Sequence, residues 1–184
     1  MNESLAQEIA RLLAERNERV VFAESCTAGM VAATLGTVPG ISNHLCGSAV
    51  VYRADTKRRW LGVRKKTIKK ASTESVECAR EIAVGALKRT PEADWAVGVV
   101  GHMGPDAPEE KDGHLYLAIA RRTRKGNIKI KDTEDHKLGS GDRVKRQQEA
   151  TEVTLTHFAR LLTKKHKREK LDQEEKPAKK KVVG

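Results

Sequence analysis

Aromatic side chains are scarce, only 3% of the 184 residues, which leaves few flat surfaces on which single-stranded nucleic-acid bases can stack. Cysteine is scarce too. Cys26, Cys46 and Cys78 stand far apart and form no CxxC pair, so reduced thiols are expected rather than a disulfide framework or a cysteine zinc site. The six histidines contain no HExxH. Two of them, His102 and His114, can meet across a loop but lack the further ligands a metal centre needs, and no metal is expected. No apolar run approaches the roughly 20 residues that cross a bilayer. Met1-Asn2-Glu3-Ser4 begins an acidic, amphipathic segment without the apolar core of a secretory signal. A cytoplasmic setting is expected, with no membrane partner.

Hydrophobic residues form 38% of the chain and cluster in short runs, enough for one domain; chains of this size bury roughly 70% of the surface they expose when unfolded. The formal charge of +11 is unevenly placed. Lys164 to Gly184 holds nine basic and four acidic residues, a surplus of five that leaves six for the body. This divides the chain into a domain over 1–165 and a basic tail over 166–184, whose Lys/Glu-rich composition lacks apolar periodicity and predicts disorder. The positive surplus permits weak, salt-sensitive binding of nucleic acid through the tail.

Ser4 and Gln7 have the spacing of a capping box, and Leu5, Ile9, Leu12 and Leu13 share one face of the helix that follows. Val20 to Ala23 reads as a short buried strand. A second helix is expected from Thr27 to Leu35, ended by Gly36, Pro39 and Gly40. A strand over 45–52 and a basic helical stretch over 57–61 come next. Ser72 is positioned to cap a helix burying Val76, Ala79, Ala83, Ala86 and Leu87. Trp95 to Val100 is a buried-strand run, and strands at 114–120 and 127–131 flank a Gly126 turn, as in a hairpin. A last helix, from Asp142, packs Leu155, Phe158, Ala159 and Leu162. This alternation predicts an α/β fold: a three-layer α/β/α sandwich around a mixed, mostly parallel sheet.

Three segments leave strand ends with groups that can do chemistry, and ligands of open α/β sheets gather at the carboxyl ends of the strands. The first is Glu24-Ser25-Cys26-Thr27-Ala28-Gly29. A strand entering a helix through such a turn offers free N–H groups and a positive dipole end; Ser25 and Thr27 can bind a phosphate, cap the helix or supply a nucleophile. The second is Tyr52-Arg53-Ala54-Asp55-Thr56-Lys57. A desolvated Lys57 acts as a base toward Ser25, whereas its place in a run that continues to Lys70 fits an ordinary solvated face. The third is Gly101-His102-Met103-Gly104-Pro105, where two glycines permit close backbone approach to a ligand or form a simple turn.

Taken in order, these segments resemble the C-terminal domain of the CinA (competence/damage-inducible protein A) family, whose stand-alone members include nicotinamide mononucleotide amidohydrolases. The family's ESCTGG corresponds to Glu24 to Gly29, its VPGSS-type turn to Val38-Pro39-Gly40-Ile41-Ser42, and its Tyr-Ser-Asn-Glu-Ala-Lys stretch to Tyr52 through Lys57, followed by Leu61-Gly62-Val63. Its Val-Ser-Glu is matched by Ser72-Thr73-Glu74, its Thr-Gly-Ile-Ala-Gly-Pro by Val100 through Pro105, and its Gly-Asp-Arg by Gly141-Asp142-Arg143. The match runs over about residues 5 to 163; the family's molybdopterin-binding-like N-terminal half is absent from it.

The resemblance implies an amidase of pyridine nucleotide salvage that turns the carboxamide of nicotinamide mononucleotide into carboxylate plus ammonia, without metal or organic cofactor. In that reading Ser25 attacks the amide carbon, and Lys57, helped by Tyr52, moves the proton. N–H groups opening the second helix steady the oxyanion, and Arg143 grips the phosphate. Glu24, Cys26, Thr27, Gly29, Gly101 and Gly104 complete the substrate site. A homo-oligomer is expected. Four departures matter: Val100 for a hydroxyl residue, Ala54 for Asn, Ala28 for Gly, and an acidic 106–110 loop expected to repel phosphate. They keep open a binding homologue that has lost the chemistry, and the charge keeps open a nucleic-acid-associated protein.

Overall fold

The computed structural model describes residues 4–104, 107–139 and 141–174, with side chains through 164. Their elements run α1 (Leu5–Ala14), β1 (Val20–Glu24), α2 (Met30–Gly36), β2 (Leu45–Val50), α3 (Ala54–Leu61), α4 (Lys65–Ala71), α5 (Val76–Arg89), β3 (Trp95–Gly101), β4 (His114–Arg122), β5 (Ile128–Lys137) and α6 (Arg143–Glu174). The capping box forms at α1: Ser4 Oγ accepts the Gln7 N–H and the Gln7 side chain accepts the Ser4 N–H. Ala6, Ile9, Leu12 and Leu13 are the face it buries.

The sheet order is β2-β1-β3-β4-β5. β1 pairs in parallel with β2 and β3, whereas β3–β4 and β4–β5 are antiparallel. Only β4 therefore opposes the direction of the other four strands, and the expected hairpin is β4–β5. Every residue of β1 is buried, as a central strand covered on both faces requires. Side-chain alternation then sorts the core into two halves. Phe22, Val97, Val99, Leu117 and Ile119 face α1, α2 and α6, where Phe158 meets Phe22 and Trp95 edge-on. Val21, Ala23, Ala96 and Val100 face α3 and α5. The second layer packs unusually close: a Cβ on Gly98 would lie 2.4 Å from the Ala79 carbonyl oxygen, and one on Gly85 2.0 Å from that of Leu61.

Four local expectations change. α2 begins at Met30 rather than Thr27, because Ala28 (φ 52°) and Gly29 (φ 99°) are left-handed and cannot continue a helix. The basic stretch after Gly62 forms its own helix, α4. Ser72 follows that helix with φ 77°, and the cap of α5 is Ser75, whose Oγ accepts the Cys78 N–H. Finally, α6 continues past Lys165 to Glu174. Lysine, arginine, glutamate and glutamine are good helix formers, and no proline intervenes before Pro177. The rest of the expected tail, 175–184, lies outside the described residues. Among the described residues, no helix is long and apolar enough to cross a membrane.

Candidate active site

Three parallel strands end side by side, and the chain leaving each one carries a different kind of group. Ser25 follows β1, Tyr52 lies just past β2, and Gly101 ends β3, with His102 to Gly104 following it. The first residue of α6, Arg143, closes the same space. The cleft so formed encloses about 290 Å³ and is lined by Ser25, Cys26, Tyr52, Glu74, Gly101, His102, Met103, Gly104, Ala107, Pro108 and Arg143.

Beneath it lies a serine–lysine pair. Lys57 is completely buried; its Nζ donates to Ser25 Oγ at 2.9 Å and to the Tyr52 main-chain carbonyl at 3.2 Å. Burial drives the Lys57 pKa below the ordinary lysine range, opposed by the Glu74 carboxylate 3.9 Å away. A neutral amine is therefore accessible next to a hydroxyl, the pairing a Ser/Lys nucleophile needs. The neighbouring thiol is not a rival: burial pushes the Cys26 pKa up to about 12, outweighing the N–H groups of Cys26 and Thr27 that pull it down. At neutral pH that cysteine stays protonated and weakly nucleophilic.

Glu24 shapes the turn instead of meeting a ligand. Its fully buried carboxylate accepts from Thr27 Oγ1 (2.8 Å), the N–H groups of Gly29 (2.9 Å), Val31 (3.1 Å) and Ala32 (3.1 Å), and Ser48 Oγ (2.9 Å). An acidic side chain thus occupies the positive end of α2, and those N–H groups cannot also hold an oxyanion. The expected oxyanion role of the α2 terminus is corrected accordingly. Thr27 and Gly29, like Glu24, lie outside the cleft lining and act through this network.

On the opposite wall, Arg143 donates from Nη1 to the Gly104 carbonyl at 3.1 Å and from Nη2 to the Tyr52 hydroxyl. Tyr52 therefore serves Lys57 through its main-chain carbonyl, while its half-exposed ring belongs to Arg143. One turn along α6, Arg146 forks onto Asp112 with two 2.7 Å bonds; its hydrogen bonds hold the Asp112 pKa below the usual carboxylate range. Gln147 Nε2 donates to the Cys26 carbonyl at 2.8 Å, tying α6 directly to the nucleophile turn. Gly101 must be small here, since a Cβ would stand 2.7 Å from the His114 carbonyl oxygen and 3.3 Å from Cys26 Sγ.

The family departures fall mostly elsewhere. Val100 is fully buried in the α5-side cluster. Ala54 is exposed at the start of α3, and Ala28 is exposed; its cost is its left-handed φ. Of the acidic 106–110 loop, Asp106 lies outside the described residues, Ala107 and Pro108 line the cleft, and the exposed Glu109 and Glu110 do not. Two polar cleft residues, Glu74 and His102, were given no role in the substrate site by sequence reasoning. Glu74 lay in a segment read only as a helix start. His102 lay inside the glycine-bounded third segment, where an isolated histidine carries little signal. His102 does meet His114, but through one main-chain bond, from the His102 N–H to the His114 carbonyl, and the His114 ring bonds Asp135.

A profile of the CinA C-terminal domain matches residues 2–162. A CinA-like protein of Endomicrobium trichonymphae is 34% identical over 168 residues, which cover 90% of this chain and 37% of that relative. One from Thermotoga maritima is 38% identical over 120 residues, 64% of this chain and 29% of its own length. The chain thus spans well under half of these relatives. Among solved structures, a competence/damage inducible protein of Agrobacterium tumefaciens superimposes with a TM-score of 0.78 at 31% identity, covering 86% of this chain and 94% of that one.

Proposed function

This chain belongs to the CinA C-terminal domain family, and from that premise we propose that it is an amidohydrolase acting on the carboxamide of nicotinamide mononucleotide. The observation that carries the reading is the buried Lys57 amine 2.9 Å from Ser25 Oγ at the floor of a cleft. With its pKa lowered by burial, Lys57 takes the Ser25 proton as the oxygen attacks the amide carbon. The resulting ammonium then gives that proton to the nitrogen as the C–N bond breaks, releasing ammonia and leaving an acyl ester on Ser25. Water, deprotonated by the same amine, cleaves the ester to the carboxylate and restores the serine. Arg143, at the far wall, offers a guanidinium to the phosphate. The substitutions that favoured a binding-only homologue, Val100 and Ala54, do not line the cleft, which weakens that alternative.

The purified protein is expected to release ammonia from nicotinamide mononucleotide. Ser25→Ala should lower the rate by on the order of 10³-fold or more, as removal of other nucleophilic serines does. A wild-type protein that releases no ammonia above the Ser25→Ala background would end the amidase reading.

A further inference from the structure

The proposed reaction puts a positive charge where the protein is least hospitable to one. As the bond from Ser25 Oγ to the amide carbon forms, the serine proton moves to the Lys57 amine and an ammonium appears there. Lys57 is completely buried, and a charge formed away from water must be met by an opposite one. Its neighbours offer few. The Ser25 hydroxyl and the Tyr52 carbonyl are uncharged. Burial pushes the thiols of Cys26 and Cys78 up to about 12, so both stay protonated at neutral pH. Among the described residues that leaves the Glu74 carboxylate, whose Oε1 lies 3.9 Å from Lys57 Nζ.

The chain between α4 and α5 is built to present that carboxylate. Ser72 sits at φ 77°, a left-handed conformation that a residue with a side chain adopts only at a cost. Its hydroxyl brackets Glu74, donating to the Glu74 carbonyl at 2.9 Å and accepting the Glu74 N–H at 3.2 Å. Thr73 Oγ1 donates to Glu74 Oε2 at 2.6 Å, which leaves Oε1 for Lys57. The Glu74 side chain remains 26% exposed, so it escapes much of the desolvation that a fully buried partner would bear.

We propose that Glu74 is a positioning residue whose carboxylate holds the ammonium that forms on Lys57 when Ser25 attacks. The inference rests on the amidase reading and deepens it. Glu74 acts through Lys57 and exchanges no proton itself. Burial and Glu74 pull the Lys57 pKa in opposite directions, burial the more strongly, and their balance sets the pH at which the amine is free to act as a base.

The test is ammonia release from nicotinamide mononucleotide across pH, by wild type, Glu74→Gln and Glu74→Asp. Glu74→Gln keeps the shape and removes the charge. It should lower kcat/KM by about ten- to a hundredfold, the factor by which an opposite charge at such a distance favours an ammonium. The rising limb of the profile should also move to lower pH, because an amine without its anion gives up a proton more readily. Glu74→Asp, with the charge kept but drawn back, should place the limb between the two, and it decides the matter if Glu74→Gln does not fold. In a folded variant too slow to assay, denaturant titrations read the same shift: stability should begin to rise with pH at a lower pH than in wild type. A carboxylate that only braces the 72–75 turn would alter rate and stability at every pH and move neither onset. An unmoved limb in an active variant, or an unmoved onset of the stability rise in an inactive one, overturns the role of Glu74 and leaves the amidase standing. Wild type inert on the nucleotide overturns both.

Discussion

At the scale of single residues, the site is decided by what burial does to one amine. Lys57 comes from a chain segment full of cations, yet it alone is taken fully out of water while Arg58, Arg59 and their neighbours stay at least partly exposed. Removing an ammonium from water favours its neutral form, and the base in the proposed mechanism must be neutral. Rate should therefore climb with pH through the Lys57 pKa, and this limb should fall below the ordinary lysine range. A pH–rate profile rising only where free lysine titrates would contradict it. The same shift has a stability consequence. Between the depressed and the ordinary pKa the unfolded chain binds more protons than the folded one, so stability should rise with pH across that window. Lys57→Met, similar in length and uncharged, should be inactive and should flatten that rise in denaturant titrations.

At the scale of elements, the join between β1 and α2 is the most constrained piece of the fold. A strand ends on Glu24, the chain turns through two left-handed residues, and the helix that follows receives the Glu24 carboxylate at its amino end. Glu24→Ala would strand several buried donors at once. We expect a loss of about 3 kcal/mol or more in stability, together with a loss of activity as Ser25 drifts from Lys57. Equilibrium unfolding would measure it; a change under about 1 kcal/mol would mean that the helix dipole and water replace the carboxylate. The join at the other end of the site is built differently. α6 reaches the nucleophile turn through Gln147, the cleft wall through Arg143, and the segment preceding β4 through Arg146 and Asp112. One helix thereby fixes the spacing between the serine and the cationic wall.

At the scale of the whole molecule, two apolar layers sandwich the sheet, and among the residues whose side chains are described the last apolar contribution of α6 is Leu162. Thr163 adds hydrogen bonds to the Ala159 carbonyl and to Glu8 of α1. The described core reaches that point, and removing everything after Lys165 should leave the thermal midpoint within about 2 °C of the full chain. It should also leave ammonia release unchanged. A fall well beyond that would show that the later turns of α6 stabilise the domain, and would move its boundary.

What the sequence determined by itself was whatever follows from local pattern. The α1 cap, the buried runs of β1 and β3, the β4–β5 hairpin and the α/β class rest on periodicity, capping chemistry and turn residues, which act over a few positions. Ser25, Lys57, Tyr52 and Arg143 were legible because their segments resemble a family's motifs in order. Only the tertiary structure decided which polar groups face the cleft and which serve the scaffold. Glu24 looks like a ligand contact until the return of α2 surrounds its carboxylate with donors. Val100 looks like a lost site contact until strand alternation turns it into the α5 layer. Glu74 and His102 look unremarkable until the ends of three strands and a distant helix bring them beside Ser25. Such roles depend on desolvation and on partners as far as 121 residues away, and no local spacing encodes either.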